Sequence, residues 1–471
     1  MTAAAAGAGQ SRPGQSHPGS SRPGSSRAGS SRAGRSGPGQ PTSPPESAPP
    51  GAGPLGAAVT IEQLTDNPHP VLARLRAAEP TAWLPALGGW LVSRRDLVEQ
   101  VLRDAATFTV DDPRFTTARV TGSSMLSLDG PQHRRHRDPF ARALRRRDVS
   151  SGLTEFTIAE ADRLVAALAP AGSAELRRAL AGPLAVAVMA QVLGLGDTEP
   201  AVLLAWYDAI VSGVSALTEA PGAEVPRPAA AAFGELRASL ERVIRLPGGT
   251  SLLAVAAQTA GLSTAEVVSN AAVMLFGGIE TTEGMISNAI LHLLGGPVAA
   301  GPAGPEDGPA GGDGSGAGRR RTGVPDGAAQ GQLADVQADR SLIVGVIDES
   351  LRLEPAAAVV DRFATAAVTL GPAQIRAGDL VVVSLAGANR DPALFPEPDQ
   401  FDIRRANARQ NLGFALGPHF CVGAQLARTE TEAAISALLE HVSGLRLDPA
   451  RPARPRGLVF RKPADLHVRW D

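Results

Sequence analysis

The stretch Phe414-Ala415-Leu416-Gly417-Pro418-His419-Phe420-Cys421-Val422-Gly423 decides how the rest of this chain is read. Its glycines and proline make it a loop, and the helical pattern that follows starts a helix just after the cysteine. The positive end of that helix and the nearby backbone N–H groups stabilise a thiolate. Glycines let the backbone approach a flat ligand closely. His419, two residues from Cys421, can donate to an anionic group beside a metal. The plain alternative is a loop with a buried, inert thiol.

Cys421 is the only cysteine among 471 residues. A single thiol excludes intramolecular disulfides and Cys-rich metal sites and fits a reducing compartment. A hydrophobic share of 43% supplies a large core. The formal net charge of -2 points neither to nucleic acid nor to an anionic membrane. Lys462 is the sole lysine; the other basic residues are arginines, a compositional bias rather than a functional signal. No secretory h-region and no run of roughly 20 apolar residues is present. The expectation is a soluble cytoplasmic protein with no membrane anchor and no nucleic-acid partner.

Residues 1–56 repeat Ser, Arg, Pro and Gly, as in Ser20-Ser21-Arg22-Pro23-Gly24. Such a composition cannot offset its ordering entropy, so a disordered tail is expected. A Gly/Pro-rich stretch at about 296–331 reads as a flexible insertion. Residues 57–471 read as one domain, mainly α with a minor β region. Helices are expected at His69–Ala78, Arg95–Asp104, Leu153–Ala169, Ala174–Leu193, Ala201–Leu217 and Ala229–Leu246. A long apolar helix runs from Thr264 to Leu294, capped by Ser263. Another covers Arg340–Leu353 and stops before Pro355. A last helix spans Gly423 to Val442. Trp83–Leu87 and Trp90–Val92 form a hairpin whose Pro85 keeps it at a sheet edge. Short strands fall around Val368 and at Leu380–Ser384.

Three further constellations carry chemistry. Phe276-Gly277-Gly278-Ile279-Glu280-Thr281-Thr282 lies inside the long helix. Each glycine there costs about 1 kcal/mol relative to Ala, which close approach of a large ligand offsets, and so does a tight helix crossing. An acid followed by an alcohol suits a proton relay. Glu349 and Arg352 share one helix face and can pair; a solvated surface pair is the alternative. In Asp129-Gly130-Pro131-Gln132-His133-Arg134-Arg135-His136-Arg137, His133 and Arg137 share a face suited to carboxylates, or to a generic basic patch.

Taken in their order along the chain, these segments resemble the cytochrome P450 family over about Leu55 to Trp470, apart from the insertion. Phe414, Gly417, His419, Cys421 and Gly423 match the family's haem-binding loop; Ala415 replaces its first Gly. If that position has positive φ, Ala costs about 1 kcal/mol. The resemblance implies a cytochrome P450 fold around a buried haem b, with Cys421 as axial thiolate. It implies that His419, His133, Arg137 and Arg362 serve the haem propionates. Thr281 would handle dioxygen and Glu280 protons, with Thr282 second if the register slips. Glu349 and Arg352 would form a buried structural network with Arg405 or a neighbour. Arg134, Arg135, Arg145, Arg146 and Arg147 would attract a ferredoxin-type donor, itself served by a reductase and NAD(P)H.

The implied activity is a haem-dependent monooxygenase: one atom of O2 enters a small lipophilic substrate of secondary-metabolite type, the other leaves as water. Substrate contacts are sought at Val120–Leu128, Trp206–Val214, Phe276, Gly277, Ala357–Val360, Val459 and Phe460. Three alternatives stay open: a haem-thiolate enzyme of another reaction type, a haem-based sensor or carrier, and a haem-free α-helical binding protein.

Overall fold

The computed structural model describes Pro49 and residues 51–295 and 326–471, except 146, 220–222, 247–250 and 259–260. Its residues 47–471 form one compact unit. The helix Thr264–Leu293 is its axis, and most of its residues are buried. Ser263 caps it, accepting from Glu266 N–H while the Glu266 side chain reaches back, a reciprocal cap that fixes where the helix starts. Gly182–Leu193, Arg227–Arg245, Ile343–Leu353 and Ala424–His441 pack around it.

A five-stranded sheet lies to one side, in the order Thr81–Leu84, Gly89–Val92, Leu380–Ser384, Val359–Ala364, Phe108–Thr109. The first two strands form the expected hairpin, with Trp83 opposite Trp90. Pro85 falls in its turn, next to the edge strand. Smaller sheets pair Pro455–Arg456 with Lys462–Pro463, and His467–Arg469 with both Ser173–Glu175 and Arg446–Leu447.

Several expectations change. Ser173–Glu175 is a strand, not the start of a helix, because it pairs with His467–Arg469. The Glu175 carboxylate then accepts from the N–H groups of Arg177 and Arg178 at 3.0 and 2.9 Å. A π-helical turn, Arg177–Ala181, leads into Gly182–Leu193. The strands Val359–Ala364 and Ala373–Ile375 and the helix Leu252–Gln258 carry no pattern strong enough to be read locally. Most of the tail and of the Gly/Pro-rich stretch lies outside the described residues. Two borders move, however. Pro54–Ala57 is helical, its Leu55 and Gly56 N–H groups bound by Glu79 at 2.9 and 2.8 Å. The helix Asp326–Ala338 takes the end of the stretch given to the insertion.

The Glu349–Arg352 pair is buried, not solvated. Arg352 Nε and Nη2 donate to the two Glu349 oxygens at 2.7 and 2.8 Å. Arg405 Nε donates to Glu349 Oε1 at 2.9 Å. Backbone carbonyls of Asn389, Pro398 and Gln400 take the remaining Arg352 protons. The network ties the helix Ile343–Leu353 to the segment leading to the cysteine loop.

Candidate active site

The cysteine loop is held by backbone and by distant side chains. Cys421 N–H donates to Phe414 O at 2.9 Å and Phe420 N–H to Gly417 O at 3.1 Å. Gly417 has φ +74°, and a Cβ there would lie 2.4 Å from Leu102 O, so both backbone angle and space demand glycine. Ala415 takes the left-handed region at φ 57°, so the loop keeps its shape at a local cost of about 1 kcal/mol. Arg428 lies over the Phe414 ring, 5.2 Å from its centre. The helix Ala424–His441 begins next, with Gly423 at its N-cap.

Cys421 is exposed, yet protein is dense around it. Burial pushes its thiol up, outweighing the opposing pull of Gly423 N–H and Arg137. The residue is open to solvent on one side while protein packs closely around the rest of it. The helix end alone therefore does not make this sulfur a thiolate; a bound metal ion would.

The helix Gly130–Arg145 supplies the next groups. His133 is buried, and its Nε2 has no hydrogen-bond partner. Burial, then His419 and Arg137, lowers its pKa from 6.5 to about 4. Arg137 Nη2 donates to Phe420 O at 2.6 Å and has no carboxylate partner among the described residues. Arg362, on the strand Val359–Ala364, is only 4% exposed, and its one described side-chain bond goes to Asp361 O at 2.7 Å. No ion pair among the described residues offsets its buried charge. Burial lowers its pKa, against the opposing pull of Asp129 and then Asp361.

His419 is engaged elsewhere: its Nε2 meets Asp129 Oδ1 at 2.8 Å, and its ring packs at a tilt of 42° against His133 with centres 4.3 Å apart. Asp129 also accepts from Thr109 Oγ1 and Val110 N–H at 2.7 and 2.8 Å. Burial works to raise this carboxyl, but the His419, Thr109 and Val110 bonds bring it below the usual range. For His419 to serve a second anion, only Nδ1 remains. Sequence reasoning gave Asp129 no role; the signal was an acid beside Gly-Pro at a helix start.

On the axial helix the two adjacent glycines divide their work. A Cβ on Gly278 would lie 2.3 Å from Met189 Sδ, so this glycine serves a helix crossing. A Cβ on Gly277 would meet nothing within 4 Å, and Gly277 is exposed in mid-helix. Thr281 lies on the same face, and its Oγ1 donates to Gly277 O at 2.5 Å. Thr282 is buried at 2% and faces the core. Glu280 meets Lys462 Nζ at 2.8 Å and accepts from Tyr207 OH. Phe276 stands between Tyr207 and Phe460, with ring centres 6.4 and 5.8 Å away. Ala357 bridges to Phe460. Trp206 is apart from this group: its Nε1 donates to Glu235 at 2.8 Å, in a groove of about 450 Å³ between Pro200–Glu219 and Arg227–Arg245.

A haem fits these residues. These residues offer one accessible sulfur, a buried imidazole nitrogen without a partner, and a buried guanidinium without a carboxylate among the described residues. Such groups are costly unless something anionic meets them. Of the basic residues expected to face a redox partner, Arg134, Arg145 and Arg147 are exposed. Arg135 instead pairs with Glu266 at 2.5 Å, and Arg146 lies outside the described residues.

Comparison with known proteins agrees. The family model "Cytochrome P450" matches residues 328–462. The chain is 33% identical to the cytochrome P450 monooxygenase PikC of Streptomyces venezuelae over 426 residues, covering 86% of this chain and 91% of PikC. It is 31% identical to nocardicin C N-oxygenase of Nocardia uniformis subsp. tsuyamanensis, covering 85% and 95%. The crystal structure of CalO2 superposes with a TM-score of 0.73 at 26% identity, covering 88% of this chain and 99% of that one. No helix among the described residues is long and apolar enough to cross a membrane. With its mainly α fold and its single cysteine in the family's loop, the chain belongs to the cytochrome P450 family and is a haem-dependent monooxygenase.

Proposed function

We propose that this protein holds haem b on Cys421 and oxidises a small lipophilic molecule of secondary-metabolite type, with electrons from NAD(P)H through a separate ferredoxin and reductase. The observation that carries it is the pairing of an accessible sulfur with three side chains, His133, Arg137 and Arg362, that have no anionic hydrogen-bond partner among the described residues.

Haem, when bound, supplies the activation of dioxygen, tuned by the thiolate. The chain supplies the rest. Arg137 and Arg362 give fixed charge to two propionates, and His133 Nε2 gives a donor or acceptor according to its protonation. His419, paired to Asp129, walls this site and keeps the His133 ring in place. Donation by His419 from both nitrogens requires its second ring proton, with Asp129 as counter-ion. Phe414, Gly417 and Gly423 shape the loop around the sulfur. Gly277 would leave space beside Thr281 for a bound group, since a Cβ there would meet nothing within 4 Å. Thr281 Oγ1 can turn from Gly277 O to hold a proton at the reacting centre, and Glu280 can resupply it. Phe276, Phe460 and Tyr207 offer an apolar wall for substrate.

The relation to a nocardicin C N-oxygenase supports an oxygenase acting on a small compound over a sensor or carrier. Exposed Arg134, Arg145 and Arg147 suit an acidic electron donor; charge reversal there should slow reduction and flatten its salt dependence. The single thiol suits the cytoplasm as its place.

The test is spectral. Haem-loaded protein, reduced and exposed to carbon monoxide, should show the far red-shifted Soret band of thiolate ligation, and Cys421→Ser should abolish it. A folded protein lacking that band, or keeping it in Cys421→Ser, ends this reading. Lipophilic compounds screened by spectral shift, then by product analysis, identify the substrate.

A further inference from the structure

Glu280 is gripped by the chain's only lysine and only tyrosine. Lys462 Nζ lies 2.8 Å from Glu280 Oε1 and also pairs with Glu283. Tyr207 OH donates to Glu280 Oε2. Glu283 takes a second cation, Arg177 Nε, at 2.8 Å. Arg177 opens the π-helical turn, an irregularity often found at functional sites.

Three elements thus meet at Glu280, the axial helix, Pro200–Glu219 and Lys462–Pro463, and the π turn reaches its neighbour Glu283. Two cations face two carboxylates, so the formal charges balance. The sharing is unequal. Glu283 has Arg177 as well as Lys462, while Glu280 shares one ammonium and one phenol. Its neighbour Thr281 is engaged too, with its hydroxyl on Gly277 O. Neither member of the acid–alcohol pair is free to swing at will, so whatever holds Glu280 sets where its proton starts.

We propose that Lys462 and Tyr207 form a clasp that positions the Glu280 carboxylate for proton delivery, linking that acid to the helix Pro200–Glu219 and to the C-terminal strand pair. This rests on the reading of Glu280 given above. Lys462 and Tyr207 are positioning residues, since they act through Glu280. Burial first, and the Glu280 bond second, push the Tyr207 phenol well above its ordinary range, which gives the clasp a direct signature.

The full haem-loaded protein provides the test. With tyrosine labelled at its ring Cζ, the reduced carbon monoxide form gives one tyrosine NMR signal. It should stay protonated past about pH 10, where a free phenol ionises, and should titrate earlier in Glu280→Gln. NADH oxidation through a surrogate ferredoxin and reductase, with dioxygen as sole acceptor, is then timed in H2O and D2O. Lys462→Met should slow it about tenfold and change the isotope effect, a size set by misplacing a proton donor. Lys462→Arg should restore it to within about twofold. Tyr207→Phe keeps the charge balance and should cost about threefold, which preserves the test if Lys462→Met fails to fold. Wild-type rates and isotope effects in Lys462→Met or Tyr207→Phe, with Glu280→Gln slowed, overturn the clasp alone. An unchanged isotope effect in Glu280→Gln overturns the reading of Glu280, and the clasp with it.

Discussion

Arg352 and Arg362 are both nearly sealed from solvent, yet their surroundings treat them oppositely. Arg352 places all five of its N–H donors, on Glu349 and on the carbonyls of Asn389, Pro398 and Gln400. Arg362 places one, on the carbonyl of Asp361, and pairs with no carboxylate among the described residues. The same contrast separates His292, whose Nδ1 is paired with Ser350 Oγ at 2.9 Å, from His133, whose Nε2 is bare. A completed buried network belongs to the scaffold. An incomplete one leaves a position open to a partner that is not protein, although Glu430 Oε2 and His69 Nδ1 are also bare inside the scaffold.

Breaking the complete side should give the largest effect. Arg352→Ala leaves Glu349 buried and half-paired, a loss of about 3–5 kcal/mol that thermal unfolding would register as a collapse of stability. Arg362→Ala should leave the haem-free protein at least as stable, since it removes an uncompensated charge. If the two variants destabilise haem-free protein equally, the contrast is void.

Acid should come next. Burial lowers His69 and His292 from 6.5 to about 4, so the fold keeps them neutral while the unfolded chain protonates them. Their contribution is complete above pH 6.5 and drains away as pH falls towards 4. Denaturant midpoints measured across that window should decline, and replacing His292 should flatten the slope. On the incomplete side the effect is on cofactor retention. His133→Ala and Arg362→Ala should each speed haem loss to a scavenging globin about tenfold, or about 1.4 kcal/mol. Ala415→Gly should have the smallest effect, raising stability by about 1 kcal/mol by relieving its positive φ, with the carbon monoxide spectrum unchanged.

Features written in local pattern were legible in sequence. Ser263 marked the start of the axial helix and Pro355 the end of Ile343–Leu353. Gly277-Gly278 stood out as a weak spot, but the sequence could not divide the pair: one glycine meets Met189 and the other open space. What stayed hidden was long-range pairing. Ser173–Glu175 becomes a strand only because His467–Arg469 lies beside it. Nothing near Glu280 in sequence announces Lys462 or Tyr207, and nothing near His419 announces that Asp129 takes its Nε2.

That last pairing bears on assembly. Asp129 and Arg137, which anchor His419 and Phe420, lie 290 and 283 residues earlier in the chain. During synthesis these anchors emerge long before the ligand loop. Closing so wide a span is entropically costly and is compensated only by contacts made after both ends have met. The sulfur therefore reaches its station late, and metalloporphyrin capture should follow the near-complete collapse of the polypeptide instead of seeding it.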